Sequence, residues 1–191
     1  MEKSPNMSHY PPPGVFLHRR FLTSAMDGEG GIWTASLVTV NGETDLRICR
    51  FPPGDGEEPR LHRIIDRQAV MAGAQPPAMA AGMLDGAPAV AIAWTVPREG
   101  AWQVRCSICR TAESGEITSE TEITAAGGGE TCLYPAVCLD GGILSLAWSA
   151  ADPVSGRMAG RMAVWLAQRI DRQWTAPRAL SEPEGGNAFR A

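Results

Sequence analysis

The stretch LYPAVCLDGGILSLAW, residues 133–148, decides the fold because an earlier part of the chain repeats its pattern. The segment PPAMAAGMLDGAPAVAIAW, residues 76–94, also runs from proline through apolar residues to Leu-Asp-Gly and ends in Ala-Trp. A third copy, SAMDGEGGIWTASLVTV, contains Asp27, so that Asp27, Asp85 and Asp140 follow one another at spacings of 58 and 55 residues. A fixed period of this order indicates that one structural unit is repeated.

Each copy predicts four β-strands joined as a meander. Asp-Gly between alternating apolar runs is typical of a tight hairpin, because glycine accepts a positive φ and aspartate tolerates it. We therefore predict tight turns at Asp27-Gly28, Asn41-Gly42 and Asp140-Gly141. The third strands, DLRICRF and QVRCSICRT, share Ile-Cys-Arg, whereas the third copy, MAVWLAQR, matches them only in its apolar alternation. More polar fourth strands follow as RLHRIIDRQAV, GEITSETEIT and RQWTAPRALS.

These units divide the chain. Residues 1–20 form an N-terminal extension whose GVFLHRRF segment is a candidate edge strand for the last unit or for a partner chain. Residues 21–75, 76–130 and 131–184 are the three units, and residues 185–191 resemble the start of a fourth. No stretch shows the apolar periodicity of a useful amphipathic helix.

The second strand of each unit predicts how the units pack. In the middle copy, bulky residues alternate with alanines, so both faces of the sheet are apolar and both are expected to be buried. The bulky face of one sheet should fit against the small face of the next. Trp94 and Trp148 should then occupy equivalent buried positions in consecutive sheets.

Stacked four-stranded antiparallel units describe the blades of a β-propeller. The chain resembles the β-propeller superfamily, and its Pro-Ala-Val…Asp-Gly-Gly…Ala-Trp pattern looks like that of sialidase-type, sugar-active propellers. The resemblance implies an all-β fold with repeated four-stranded antiparallel sheets and about three blades, a partial β-propeller. The alternative is a β-sandwich with accidental Asp-Gly turns. The Asp-box of sialidases, Ser-x-Asp-x-Gly-x-x-x-x-Trp, is intact in no copy.

Composition limits the function classes. The chain has 191 residues, 44% apolar and 20% charged, with a net charge of −4 and no long run of one sign. We therefore expect no nucleic-acid partner and no membrane partner. The N-terminus lacks the pattern of a secretory signal, and five cysteines are too few for a disulfide scaffold. The expected location is the cytoplasm, with reduced thiols.

Few residues suggest catalytic or metal chemistry. Cys106 and Cys109 form a CxxC, but residues three apart on a strand point to opposite faces, so we expect no metal and no cofactor, with the cysteines acting as small buried hydrophobes. The repeated aspartates are interpreted as turn formers, not as a carboxylate pair for glycoside hydrolysis. The catalytic set of sialidases cannot be placed on this chain, whose only tyrosines are Tyr10 and Tyr134.

The favoured function is a non-catalytic, propeller-type binding or interaction module, with carbohydrate as one ligand class and peptide as another. The alternative is a fragment of a sialidase-like glycoside hydrolase whose catalytic residues lie in missing blades. Candidate ligand contacts are Trp102, next to the turn at residues 97–100, Tyr134, and Arg190 at the start of the fourth unit. The long loop at residues 150–160 is a further candidate.

The number of units also predicts a partner. Propellers close with 4–8 blades, so three units leave two terminal sheets with uncovered apolar faces. We therefore expect self-association, most simply as a two-fold homodimer.

Overall fold

The computed structural model describes residues 18–40, 43–54, 61–66, 76–98, 101–125, 131–151 and 162–180. Within these ranges every regular element is a β-strand, and none is a helix that could cross a membrane. The predicted all-β class is therefore confirmed.

The strands form three antiparallel sheets, each a meander in chain order. The first sheet contains β1 His18–Met26, β2 Ile32–Val40, β3 Glu43–Phe51 and β4 Leu61–Asp66. The second contains β5 Ala78–Leu84, β6 Ala87–Arg98, β7 Ala101–Thr111 and β8 Ile117–Ala125. The third contains β9 Cys132–Asp140, β10 Ile143–Ala151 and β11 Met162–Ile170, with the two-residue strands β12 Gln173–Trp174 and β13 Arg178–Ala179. The repeated sheets are those the sequence predicts.

The three sheets are stacked face to face. Between the first and second sheets, β1 contacts β5 and β4 contacts β8, whereas between the second and third sheets β9 contacts β5, β6 and β7. At the contact between β4 and β8, Arg63 donates hydrogen bonds to Ser119 Oγ at 2.8 Å and to the Ile117 carbonyl at 2.9 Å. Three stacked antiparallel sheets are consistent with a partial β-propeller and with a sandwich.

Two apolar clusters hold the layers together, and both follow the alternation along β6. Between the first and second sheets, the bulky face of β6 packs against β2: Val90, Ile92 and Trp94 meet Trp33, Ala35 and Leu37. Between the second and third sheets, the small face of β6 receives the bulky face of β10: Ala89, Ala91 and Ala93 meet Leu144, Leu146 and Trp148. Trp94 and Trp148 are 1% and 0% exposed, which confirms their predicted equivalent burial.

The turn predictions were partly wrong. At the first aspartate the reversal lies at Gly28 and Glu29, where Asp27 O accepts from Gly30 N at 3.0 Å. In the third unit the turn lies at Gly141-Gly142, one residue later than predicted, and Asp140 pairs with Ile143 as the last residue of β9. Both glycines have positive φ, which a tight hairpin requires and which glycine adopts most readily. Asn41-Gly42 lies outside the described residues.

Three further predictions from the sequence differ from the structure. β1 begins at His18 and pairs with β2, so the end of the predicted extension belongs to the first unit rather than to the last unit or a partner. β6 runs through Arg98, so the predicted turn at residues 97–100 is shorter. The predicted fourth strand of the third unit is interrupted, since β12 and β13 flank Pro177, which has no N–H to donate to a ladder.

The terminal sheets expose apolar side chains. Leu22, Met26 and Ile32 are 69%, 70% and 49% exposed on the first sheet, and Ile143 and Ile170 are exposed on the third. The self-association predicted from the sequence therefore stays a prediction with two candidate surfaces.

Light scattering at micromolar concentration should give the mass of a dimer. The double substitution Met26→Lys with Ile32→Lys should lower this mass if the first sheet is the contact. A stable, folded wild-type monomer would contradict the prediction.

Candidate functional site

The candidate site lies at one end of the stacked sheets, where repeated aspartates meet repeated arginines. In a four-stranded meander, the turn between strands one and two and the end of strand three lie at the same end. The turn residues Asp27 and Asp85 are therefore brought to Arg50 and Arg110, which stand at or near the ends of β3 and β7. The meander itself builds this row of ion pairs.

Asp27 is held by four donors. Its Oδ2 accepts from Arg50 Nε and from Trp33 Nε1, both at 2.8 Å, while its Oδ1 accepts from Gly31 N at 2.7 Å and Glu29 N at 3.1 Å. Arg50 also donates to Glu29 Oε2 at 2.8 Å. Burial alone would raise the pKa of Asp27, but the hydrogen bonds from Arg50, Trp33 and Gly31, with the charge of Arg50, lower it below its ordinary value.

Asp85 is the centre of a larger cluster that joins two sheets. Arg169 of the third sheet donates from Nη1 to both carboxylate oxygens at 3.0 Å, and Arg110 Nη2 donates to Oδ2 at 3.2 Å. Arg172 Nε lies 3.9 Å from the same oxygen. The hydrogen bond from Arg169 lowers the pKa of Asp85 against the opposing effect of burial, and the three guanidinium charges lower it further. Asp85 is therefore ionised at neutral pH.

The strand register explains why Arg169 reaches back to the second sheet. Arg50 lies opposite Trp33, which faces the following sheet, whereas Arg169 lies opposite Leu144, which faces the preceding sheet. A shift of one residue in pairing turns a side chain to the other face of its sheet. Asp85 consequently forms ion pairs with Arg110 of its own unit and with Arg169 of the next unit. Asp140 makes no ion pair with any residue in the described part of the chain.

Two clefts open beside these pairs. The large cleft has a volume of about 650 Å³, within the size range of small-molecule sites. It lies between the second and third sheets and is lined by Leu84, Asp85, Ala87, Arg110, Glu120, Arg169, Arg172 and Trp174. The small cleft, of about 250 Å³, is lined by Asp27, Glu29, Trp33, Arg50, Ala87, Pro88, Ala89, Val90, Arg110 and Thr111. Both contain ion pairs, that of Asp27 with Arg50 in the small cleft and those of Asp85 with Arg110 and Arg169 in the large one.

Neither of the two paired aspartates, Asp27 and Asp85, is suited to act as a general acid. A general acid for glycoside hydrolysis needs a carboxyl group whose pKa is raised, and the pKa values of Asp27 and Asp85 are both lowered. Burial also raises the pKa of Cys109 to about 12, against the charges of Arg63 and Arg110, so its thiol stays protonated at neutral pH. Among the described residues, no group of three histidines, cysteines or carboxylates could hold a metal ion.

The cysteines of the CxxC lie on opposite faces, as the sequence predicted. Cys106 belongs to the cluster between the second and third sheets, and Cys109 to the cluster between the first and second. The prediction that the cysteines are buried was wrong for Cys138, which is exposed on β9.

The ligand contacts predicted from the sequence lie elsewhere. Trp102 is half-buried near the start of β7, eight residues or roughly 26 Å along the strand from Arg110. Tyr134, 37% exposed, lies near the start of β9, at the same end as Trp102. Its φ of +53° places it in a backbone region that is unusual for an aromatic residue. Arg190 and residues 152–160 lie outside the described ranges, so the binding roles of all these residues stay predictions.

Sequence reasoning missed Arg110, Arg169, Arg172 and Trp174. A signal for one of them, Arg110, was present, because the arginine of Ile-Cys-Arg recurs with nearly the period of the Asp-Gly turns, at Arg50 and Arg110. Two charges of opposite sign that recur together in a meander are expected to meet at one end of each sheet. The orientation of Arg169 had no such signal.

Comparison with known proteins adds a likeness of fold. No protein-family model matches the chain, and no curated protein matches it. The crystal structure of alpha-L-arabinofuranosidase from Lactobacillus brevis is similar, with a TM-score of 0.51 and 16% sequence identity. The match covers 88% of this chain and 55% of that one, so the chain spans about half the length of the arabinofuranosidase. At this identity the match describes the fold alone.

Proposed function

We propose that this protein is a non-catalytic carbohydrate-binding module built as a partial β-propeller, with its ligand in the large cleft. The observation that carries the proposal is the cluster of Asp85 with Arg110, Arg169 and Arg172 beside Trp174 in a cleft of about 650 Å³. A few convergent polar groups with an aromatic wall are the usual composition of a ligand site.

The chemistry of the cleft fits sugar hydroxyl groups. Of the three arginines around Asp85, Arg110 and Arg172 together carry more N–H donors than its two oxygens can accept. Arg172 is the most accessible of the three, with a side chain that is 75% exposed. Trp174 is half-buried, so that one part of its ring is held by the protein while another part is open to a ligand. A sugar ring offers both hydroxyl groups for the donors and an apolar face for the indole.

The fold comparison supports the choice of ligand to test first. The similar structure is named an alpha-L-arabinofuranosidase, so arabinose-containing glycans head the series, followed by other glycans and by peptides. The lowered pKa values of Asp27 and Asp85 make both carboxylates poor general acids for hydrolysis.

Removing either ligand-facing group should weaken binding without unfolding the protein. We expect Arg172→Gln and Trp174→Ala each to raise the dissociation constant about tenfold, as the loss of about 1.4 kcal/mol implies. Glycan and peptide arrays followed by isothermal titration calorimetry would measure this. Arg178→Gln, at an exposed arginine that lines neither cleft, is the matched control. Affinities unchanged by both cleft substitutions would contradict the proposed site.

A second candidate is part of a glycoside hydrolase whose catalytic groups lie in further sheets. The observation in its favour is that the chain spans only about half of the similar arabinofuranosidase. Assay of the whole protein that contains this chain, with an aryl arabinofuranoside, distinguishes the two, since a binding module should release no aryl alcohol. Hydrolysis that depends on sheets outside these 191 residues would overturn the non-catalytic proposal.

A further inference from the structure

We propose that the turn at Asp171-Arg172 holds Arg172 at the large cleft as an anion-binding residue, and that the ligand is therefore an acidic sugar. This inference rests on the proposed function and specifies the chemical class of its ligand. The turn joins β11 to β12, and Arg172 lines the cleft together with Trp174. The backbone conformation of the turn, the unused donors of Arg172 and the net charge of the cleft carry the proposal.

The backbone of the turn does not suit its sequence. Only Asp171 and Arg172 separate the paired ends of β11 and β12, and their φ values are +48° and +65°. Such loops favour glycine, asparagine or aspartate, because most side chains are strained at positive φ. The described two-residue loops between β5 and β6 and between β9 and β10 have Gly86 and Gly142 at the second position, where this loop has arginine. Strain of this kind is found where a side chain is held for a function.

The guanidinium of Arg172 has donors that no residue in the described part of the chain accepts. Its Nε lies 3.9 Å from Asp85 Oδ2, which is beyond hydrogen-bond distance, and its side chain is 75% exposed. The two oxygens of Asp85 already accept from Arg169 and Arg110. An oxyanion is the strongest partner for such a group, because charge-assisted hydrogen bonds are about twice as strong as neutral ones.

The charges that line the cleft leave a positive excess. Three arginines, Arg110, Arg169 and Arg172, stand against two carboxylates, those of Asp85 and Glu120. Arg169 is buried against Asp85, whereas the side chains of Arg110 and Arg172 are 28% and 75% exposed. The excess therefore lies on the two arginines that a ligand can reach. An acidic sugar would balance this charge, and a neutral sugar would not.

Binding should depend on the charge of the ligand. We would titrate the full chain with galacturonic acid trimers and their methyl esters, and with galactose trimers with and without sulfate groups. In at least one pair the charged member should bind at least tenfold more tightly, and this preference should shrink as the salt concentration rises. A preference confined to one pair identifies the anion as carboxylate or as sulfate. Equal affinities within both pairs would overturn the acidic ligand and leave the proposed function intact, whereas failure of every sugar to bind, arabinose-containing glycans included, would overturn both.

Arg172→Gly separates the effect of the turn from that of the charge. Glycine relieves the strain at positive φ, so the melting temperature should rise by about 2–4 °C while the preference for charged ligands is lost. Arg172→Lys keeps the charge and should retain most of the preference. Arg178→Gln removes a charge that lines neither cleft and should change neither property. A melting temperature that does not rise in Arg172→Gly, or a preference that survives this substitution, would overturn the role of the turn.

Discussion

Replacing Trp148 with alanine is expected to lower the free energy of unfolding by about 3–5 kcal/mol, the usual cost of emptying a large aromatic site. The side chain is fully buried and packs from β10 against the alanine face of β6. Alanine side chains are too short to move into the vacated space, so most of the cavity should persist. Urea denaturation measures the change, and a loss below about 1 kcal/mol would show that the ring is not part of the core.

A comparison of Trp148 with Trp94 separates packing from hydrogen bonding. Trp94 Nε1 donates to Asp66 at 2.9 Å, whereas Trp148 Nε1 is buried without a hydrogen-bond partner among the residues that the structure describes. The strand registers give the reason, because Asp66 pairs with Leu46 and the corresponding position in the second sheet is Ile123, opposite Cys106. Isoleucine offers no acceptor. Both substitutions by phenylalanine remove the same ring volume, but only Trp94→Phe also removes a donor from Asp66.

Trp94→Phe should therefore cost about 1–2 kcal/mol more than Trp148→Phe. The pair is its own control, since the two rings hold equivalent places in consecutive sheets. Equal losses would mean that the hydrogen bond to Asp66 adds nothing to stability.

The packing of these tryptophans could be predicted from the sequence because strand side chains alternate with a period of two. Once the tight turns were recognised, the bulky and small residues of β6 indicated which faces would meet. The position of the third turn could not be predicted in the same way. Asp140-Gly141-Gly142 offers two adjacent choices, and only the pairing of Asp140 with Ile143 selects the second.

The candidate site was less accessible to sequence reasoning. Arg169 faces Asp85 because β11 pairs with β10 in one register rather than the next, and no local pattern in MAVWLAQR specifies that register. The sequence predicts Trp102 as a ligand contact because an aromatic residue beside a turn is a common one. The clefts, however, lie at the other end of β7. Repetition predicted the strands and their packing, whereas Arg169, which lines the large cleft, departs from the repeat.

The second large effect is expected at Asp85, whose ion pair with Arg169 links the second sheet to the third. Asp85→Asn should lower the free energy of unfolding by about 2–3 kcal/mol, because it removes the negative charge that faces the buried guanidinium of Arg169. The side chain of Arg169 is 5% exposed and that of Asp85 is 15% exposed, so water replaces the lost contact poorly. Asparagine is the appropriate replacement, since the φ of +54° at this position is one that it tolerates and that alanine does not.

Asp140→Asn is the matched control, since this aspartate also follows leucine and precedes glycine but is exposed at the end of β9. Its effect should stay within about 0.5 kcal/mol. The pH dependence gives an independent readout. The pKa of Asp85 is lower in the folded protein than in the unfolded chain, so its contribution is complete above the ordinary value of 3.8 and is lost as the pH falls through the folded pKa.

The difference in stability between wild type and Asp85→Asn should therefore be constant near neutral pH and shrink below about pH 4. Denaturation curves measured from pH 7 downward, for both proteins and for Asp140→Asn, provide the comparison. A difference that persists unchanged into strong acid would show that the asparagine side chain disturbs the turn itself. In that case the ion pair with Arg169 would not be what joins the second sheet to the third.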